Sequence, residues 1–277
     1  MPSPRTEAVR LRQVALITAD LAGVTGRLEQ ELGLLDAYRD EGVGRFGLEN
    51  RVLAAGDCFV EVLTPLEGDS SGRRYLERRG KDGGYMAIFQ FGDRHEPRRR
   101  ARDELGLNVA WQIDLDDVST THLDPREVPG AIVSLDWAAP PDSWRWGGPS
   151  WQGGSPPLER RRTGGITSLT VAVADPGTVA ARWQSVLGPG ARLEAPEPVG
   201  ASPEVTIVRL PAAGQSIRFV ARDADPATAG IVECGLALGP PPQPQPLADE
   251  PTSGERVAEI GGVRFVLTTH PRPKGAS

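Results

Sequence analysis

The sequence contains few of the side chains that most often carry chemistry in enzymes. It has two cysteines, Cys58 and Cys234, and three histidines among 277 residues. Nearly all basic residues are arginine, and the only lysines are Lys81 and Lys274. The cysteines lie far apart in strand-like contexts, which is typical of cysteines that act as small buried hydrophobic residues. A single disulfide between them is the alternative. Chemistry that depends on several histidines is not expected.

Long apolar runs and recognisable signature motifs are missing as well. No apolar run approaches the roughly 20 residues that span a bilayer, and residues 1–7 lack the apolar region of a secretory signal. A net charge of −6 and a pI near 5.3 argue against nucleic acid or an anionic membrane as a partner. No Gly-rich phosphate loop, CxxC pair, HExxH or GxSxG motif occurs. We expect a cytoplasmic monomer or homodimer whose partner is a small molecule.

The sequence does contain a strand–turn–helix pattern near its start. Residues 11–17 alternate as a strand, and Asp20 is placed to cap a helix. Apolar residues then recur at helical spacing from Leu21, and Gly33 marks the helix end. Three further strands are predicted, at residues 43–48, 50–54 and 58–63. The first module is therefore predicted to be β-α-β-β-β.

The same order recurs along the chain. A second module is predicted with its first strand at residues 84–91, a helix at 95–105 and strands at 108–115, near 121–123 and at 131–137. Residues 165–188 begin a third module, and a fourth begins near Gly230, where a proline-rich stretch at 239–246 excludes the helix. We predict an α+β fold of repeated βαβββ modules in two tandem domains, the second degenerate. The predicted segments are an N-terminal domain at 8–137 (modules 10–65 and 83–137), a linker at 138–164 and a C-terminal domain at 165–270.

The predicted linker is rich in proline, glycine and tryptophan. Trp144, Trp146 and Trp151 lie in it, and each indole can bury on the order of 200 Å². Two interpretations stay open. The tryptophans pin the linker to the domain surface, or one of them closes a ligand pocket.

Three stretches resemble the vicinal-oxygen-chelate superfamily, in particular its glyoxalase-like and bleomycin-resistance-like members. They are Arg-Gln-Val-Ala-Leu at residues 12–16, Asp-Cys-Phe-Val-Glu-Val-Leu-Thr-Pro at 57–65, and residues 121–136 at the end of the second module. The resemblance implies that two modules join so that their sheet encloses a cup. It also implies that divalent-metal ligands come from the first and last strand of each module, usually His or Gln and then Glu.

The first module keeps this ligand pattern and the second departs from it. Gln13 stands on the first strand and Glu61 on the last, whereas we align Tyr85 and Ser134 with the corresponding positions of the second module. A divalent metal (Zn, Ni, Mn or Fe) on Gln13 and Glu61 is the one cofactor that the resemblance implies. Such ions prefer three or four protein ligands, so the set is incomplete. His122 and Asp136 are the neighbours that could complete it; a capping or core role for His122 stays open.

The predicted second domain retains less of the pattern. Ser168 stands at the first-strand position, and Arg218 and Arg264 stand at the last-strand positions. Arginine does not ligate metals, so we expect this half to be structural. The alternative is that the two arginines grip an anionic group.

Three functional hypotheses follow. The first is a glyoxalase-like lyase or isomerase that moves a proton on a small oxygenated metabolite. Its catalytic residues would be Glu61 and His122, and its substrate-binding residues would be Gln13, Tyr85, Ser134, Asp136, Trp144 and Trp146. The second is a metal-free binding protein of the bleomycin-resistance type, without turnover, and the third is a degenerate assembly domain. Fold alone does not choose between them.

Overall fold

Two β-sheets follow one another along the chain in the computed structural model, which describes residues 8–148, 151, 163–194, 205–222, 228–238 and 255–268. The strands of the first sheet are Val9–Ile17 (β1), Leu35–Tyr38 (β2), Leu48–Ala55 (β3), Cys58–Pro65 (β4), Gly83–Phe91 (β5), Val109–Asp114 (β6), Val118–Leu123 (β7) and Ile132–Ala138 (β8). The strands of the second are Thr163–Val173 (β9), Arg192–Glu194 (β10), Val205–Leu210 (β11), Gln215–Ala221 (β12), Gly230–Leu238 (β13), Arg256–Ile260 (β14) and Val263–Thr268 (β15). The helices are Leu21–Leu32 (α1), Ser71–Arg79 (α2), Glu96–Arg99 (α3) and Pro176–Leu187 (α4).

The two sheets share one strand order, except that among the described residues the second has no strand equivalent to β6. The first runs β2-β3-β4-β1-β5-β8-β7-β6, and the second runs β10-β11-β12-β9-β13-β15-β14. In each sheet the first strands of two modules pair antiparallel at the centre, and each first strand pairs in parallel with the last strand of its own module. The predicted α+β fold with two tandem domains is confirmed.

Helix α1 begins and ends as the sequence predicts. The Asp20 carboxylate accepts a hydrogen bond from the Gly23 amide, which satisfies one free N–H of the first turn. Gly33 ends the helix in the left-handed region at φ 66°, where a side chain would be strained. Leu28 and Leu32 on its buried face pack into the core.

The first sheet has a helix-covered face and a concave face. Val14 and Leu16 point into the core shared with α1 and with the second domain, whereas Ala15 and Ile17 point to the concave face. Side chains alternate across a strand, so this division confirms the predicted faces of β1. The shared core is continuous between the domains: Trp183 on α4 contacts Phe89 of β5, with ring centroids 5.9 Å apart.

Some predicted elements are wrong in place or form. The strand predicted at residues 43–48 is a 3-10 turn, Glu41–Phe46, and the strand is earlier, at β2. Asp40 caps this turn through the Gly42 amide, and Gly47 ends it at φ 68°, so the glycines favour the turn over a strand. The helix predicted at 95–105 begins as α3, but continues as a single π-helical turn over Arg100–Glu104.

The described part of the last module has three strands and no helix. The proline-rich prediction at 239–246 lies outside the described residues, as does His270. Both cysteines are buried and free. Within the described ranges, none of the helices has the length and apolarity to span a membrane.

Candidate functional site in the N-terminal cup

The concave face of the first sheet lines a cavity of about 390 Å³. Its wall is mainly apolar and aromatic, and includes Phe46, Met86, Ile88, Trp111 and Trp146. Polar groups reach it at a few points, chiefly Gln13, Asn50, Glu61, His122 and Asp136. A concave, largely apolar pocket with a few convergent polar groups is the usual form of a small-molecule site.

Strand pairing places Gln13 and Glu61 side by side. β1 and β4 run parallel with Gln13 opposite Phe59 and Ala15 opposite Glu61. The Gln13 Nε2 donates to Glu61 Oε2 at 2.9 Å, and both residues are 6% exposed. The structure therefore brings together the two residues that the sequence singles out.

The orientation of the Gln13 amide is determined by a tryptophan. The Trp146 indole N–H donates to Gln13 Oε1 at 3.0 Å. Because an indole nitrogen only donates, the atom that faces it must be the amide oxygen. The Gln13 N–H group must then face Glu61.

Asn50, which the sequence pattern does not single out, completes the surroundings of Glu61. Its Nδ2 donates to Glu61 Oε1 at 2.6 Å, while its Oδ1 accepts from the backbone N–H of Asp40 at 2.9 Å. A backbone N–H only donates, so this amide is also held in one orientation. Alternation along β3 is the sequence signal that could identify Asn50, because Asn50 shares a face with the apolar residues Leu48 and Val52.

The carboxyl group of Glu61 titrates above its ordinary range. Burial raises its pKa to about 6, and the hydrogen bonds from Asn50 and Gln13 oppose that rise. Desolvation disfavours the charged form, whereas amide donors stabilise it. Glu61 is thus a carboxylate that is ionised at neutral pH but titrates close to it, as a general base requires.

Asp136 is a second buried carboxyl on the cavity wall. Its two oxygens accept from the hydroxyl groups of Ser134 and of Thr120, the latter at 2.9 Å. Burial raises its pKa to about 7, against the effect of these hydrogen bonds. A hydroxyl can donate or accept, and Ser134 Oγ also lies 3.4 Å from the Thr121 carbonyl oxygen. The two hydroxyl partners suit either protonation state of Asp136, whereas the Thr121 backbone N–H also stabilises its anion.

His122 lies on the cavity wall among aromatic rings. Its ring centroid is 4.9 Å from that of Trp111 and 6.3 Å from that of Phe46. Burial lowers its pKa to about 4, so the imidazole is neutral at pH 7. His122 faces the cup, and the capping role in the turn at 124–130 does not match this position.

The segment after β8 crosses the cup, and we call residues 141–148 the strap. Trp146, Gly147 and Gly148 line the cavity from the strap, and Arg145 pairs with Asp117 in the turn between β6 and β7 at 2.8 Å. Trp144 packs instead on Phe59, with ring centroids 5.3 Å apart. Trp144 therefore packs on the strand surface, whereas Trp146 lines the cavity; closure over a ligand stays a prediction.

Tyr85 is not among the residues that line the cavity. Its hydroxyl group lies 3.3 Å from Ser71 Oγ, and its ring stacks edge-on with Tyr75. The alignment of Tyr85 with Gln13 is wrong by one residue. In the first module Ala15 pairs with Glu61, and Gln13 stands two residues before Ala15. In the second module Ile88 pairs with Ser134, so Met86, two residues before Ile88, occupies the position of Gln13.

The side chains at the implied ligand positions do not fit a divalent metal. Both oxygens of Glu61 accept amide hydrogen bonds, and the Gln13 oxygen accepts from Trp146. The second module supplies Met86 and Ser134 in place of His and Glu. Within the described ranges no three His, Cys, Asp or Glu side chains converge on one point. Three or four such ligands are the usual requirement.

The corresponding face of the second sheet carries paired charges. Arg264 forms ion pairs with Glu233 and with Glu255, the latter at 3.4 Å. Thr170 donates to Glu233 at 3.0 Å, and Arg218 is exposed. Since carboxylates neutralise Arg264, it is poorly suited to grip an anion.

Comparison with known proteins gives structural matches only. No family model and no curated protein matches the sequence. A hypothetical protein from Staphylococcus aureus superposes with a TM-score of 0.63 at 10% identity, over 95% of this chain and 99% of that chain. A mutant 4-hydroxymandelate synthase from Streptomyces coelicolor superposes with a TM-score of 0.63 at 17% identity, over 83% of this chain and 71% of that chain.

A methylmalonyl-CoA epimerase from Streptomyces coelicolor is similar to about half of the chain, with 19% identity and a TM-score of 0.42 over 47% of this chain and 97% of that one. At such identities the likeness extends to the fold and not to the activity. The synthase is a protein of the vicinal-oxygen-chelate fold, and this chain has the same fold across both domains.

Proposed function

We propose that the N-terminal cup binds a small, mainly apolar carbonyl metabolite, and that Glu61 moves a proton next to the carbonyl group without a metal on Gln13 and Glu61. The observation that carries this proposal is the amide-held carboxylate. Its two amide donors are locked by Trp146 and by the Asp40 amide, so they stabilise the ionised base. The apolar wall would hold the carbon skeleton.

A second group would donate a hydrogen bond to the carbonyl oxygen of the substrate. When a base removes a proton beside a carbonyl, negative charge develops on the oxygen, and a hydrogen-bond donor stabilises it. Asp136 is partly protonated near pH 7, so it can carry the proton that such a donor needs. In this role Asp136 donates to the carbonyl oxygen, Glu61 removes the carbon-bound proton, and neutral His122 orients the substrate.

The test is hydrogen exchange at a carbon acid. Phenylacetone is a suitable probe, because it combines an aromatic ring with exchangeable protons beside a carbonyl. We expect the protein to accelerate loss of its α-proton NMR signals in D2O, the variant Glu61→Gln to abolish this acceleration, and a chelator to leave it unchanged. Glu49→Gln is the matched control, since Glu49 faces Arg51 and Arg39 outside the cavity. Acceleration that survives Glu61→Gln would contradict the proposal.

Ligand binding without turnover is the second candidate. It is favoured by one observation: both oxygens of Glu61 already accept strong hydrogen bonds at 2.6 and 2.9 Å, which lowers the tendency of the carboxylate to take up a proton. In that case the probe shows saturable chemical-shift changes at the Trp146 indole and no exchange above the background rate.

A further inference from the structure

The backbone of β1 is irregular at the point where the site begins. Against β5, Leu11 is opposite Phe89 and Gln13 is opposite Ile88, so Arg12 is an additional residue in a β-bulge. A bulge interrupts the alternation of side chains along a strand. Leu11 and Val14 therefore point into the shared core, while Arg12 and Gln13 both point to the concave face.

Both bulge residues bind the same strap tryptophan. The Arg12 guanidinium lies over the Trp146 ring at 5.0 Å from its centroid, and Gln13 accepts from the indole N–H. Arg12 also donates to the carbonyl oxygens of Pro141 and Ser143 at 2.7 and 3.0 Å. With regular alternation these neighbours would face opposite sides of the sheet, and this grip on the strap would be lost.

A glutamine of the second domain replaces the strand partner that Leu11 lacks on its other side. The β1–β4 pairing begins at Gln13. Beside Leu11 lies the carboxamide of Gln215: the Leu11 N–H donates to its Oε1 at 2.7 Å, and its Nε2 donates to the Leu11 carbonyl oxygen at 2.8 Å. The same Nε2 donates to the Ile166 carbonyl oxygen at 2.8 Å. Gln215 is 6% exposed. Its loss would remove this acceptor of the Leu11 N–H and would leave the Leu11 carbonyl oxygen with the weaker Cys58 thiol donor, 3.7 Å away.

We infer that Gln215 of the C-terminal domain is a positioning residue for the N-terminal cup, where its carboxamide holds the bulge that aims Arg12 and Gln13 together at Trp146. The inference rests on the cup being the functional site, although not on the reaction proposed for it. It gives the second domain a role in the site without a side chain in the cavity. The contact joins residues 204 positions apart in the chain.

The test measures solvent exchange and the chemical shift of the Trp146 indole N–H in the full-length protein. The resonance is observed by NMR with labelled tryptophan and assigned with Trp146→Phe. In Gln215→Leu the bulge loses its partner, and we expect the Trp146 N–H to exchange with solvent about 10-fold faster and its resonance to shift. Glu61 should titrate at higher pH, because the Gln13 donor that stabilises its anion is less well placed. A merely structural role for Gln215 would not move that titration.

Two controls make the result specific. Trp183 donates to the Pro129 carbonyl oxygen at 2.9 Å, and its N–H should be unchanged. Gln184→Leu removes another C-terminal amide, which donates to Ala191, and should leave Trp146 unaffected. Wild-type exchange at Trp146 in a folded Gln215→Leu protein would overturn the inference.

If Gln215→Leu does not fold, Gln215→Asn decides. This variant keeps a neutral carboxamide, but its side chain is one methylene shorter and cannot reach both the N–H and the carbonyl oxygen of Leu11 as Gln215 does. Intermediate exchange at Trp146 supports the inference, and wild-type exchange overturns it. Failure of the proposed reaction would appear separately, as absence of probe exchange with the Trp146 response to Gln215 intact.

Discussion

The two carboxyl groups of the cup differ in the kind of partner that holds them. Glu61 accepts from two amides that cannot turn, because each amide oxygen accepts from a group that only donates. Asp136 accepts from two hydroxyls that can reverse their role, and also from the Thr121 backbone N–H. The first arrangement favours a carboxylate, whereas the second tolerates a carboxylic acid. Different partners push the two pKa values apart, which is how one site supports both a base and an acid.

The buried Asp136 should make stability depend on pH. Its pKa in the folded protein is about 7 and lies near 3.8 when unfolded, so the native state binds its proton more tightly. The stabilisation of the native state by this tighter proton binding is fully present below about pH 4 and is lost as pH rises to about 7. Its upper bound is roughly 4 kcal/mol. The difference in unfolding free energy between wild type and Asp136→Asn, measured by urea titration, should fall across that range. A pH-independent difference would contradict this.

Only part of the site could be predicted from residues. Gln13 and Glu61 were found because polar side chains stand inside apolar strands and match a family pattern. Asn50 was missed because Glu49 and Arg51 beside it make that stretch look solvent-facing. The alignment of Tyr85 with Gln13 is wrong because counting strand residues does not reveal the irregular register between β1 and β5 at Tyr85. The hydrogen-bond partners that tune Glu61 depend on tertiary contacts, which spacing does not reveal.

At the scale of elements, the strap is the part that closes the cup. Arg12 is 1% exposed and has carbonyl oxygens and aromatic rings as its close partners. Burial, together with the charge of Arg10, lowers its pKa to about 10, so it stays charged at neutral pH. The far end of the strap is held more weakly, by the half-exposed pair of Arg145 and Asp117, since such pairs contribute at most about 1 kcal/mol.

Replacing Arg12 should loosen the strap. Arg12→Met removes the donor to the Ser143 carbonyl oxygen and one of the three side-chain donors to the Pro141 carbonyl oxygen, the others being Gln90 and Arg10, and the strap should open more often. We expect tryptic cleavage after Arg145 to become about 10-fold faster, the factor for a local opening that is about 1.4 kcal/mol easier. Arg39→Met, which removes an exposed arginine, is the control. Equal cleavage rates at Arg145 in the two variants would show that Arg12 does not hold the strap.

At the scale of the molecule, the two domains share one core. Buried residues of both sheets form a single contiguous cluster, which includes Leu11, Phe89, Val171 and Trp183. Gly130 lies so close to Val171 that a Cβ atom there would be 2.7 Å from its Cγ1. The doubled βαβββ order was predictable from repeated strand–helix patterns, whereas this docking was not, because it joins residues distant in sequence.

The shared core predicts cooperative unfolding. The domains should unfold in one calorimetric transition, with the van't Hoff and calorimetric enthalpies equal. Trp183→Ala, which empties the contact between α4 and β5, should destabilise the whole protein by about 3–5 kcal/mol. Two transitions in the wild-type protein would show that the domains are energetically independent.

The most direct test of the metal-free acid–base site is the titration of Glu61 itself, followed by 13C NMR with labelled glutamate and assigned with Glu61→Gln. We predict a pKa near 6 that rises further in Asn50→Leu, which removes an amide donor, and that does not change with one equivalent of Zn2+ or Ni2+. Titration at the ordinary value near 4.5, or a stoichiometric displacement of the Glu61 resonance by either metal, would contradict the account.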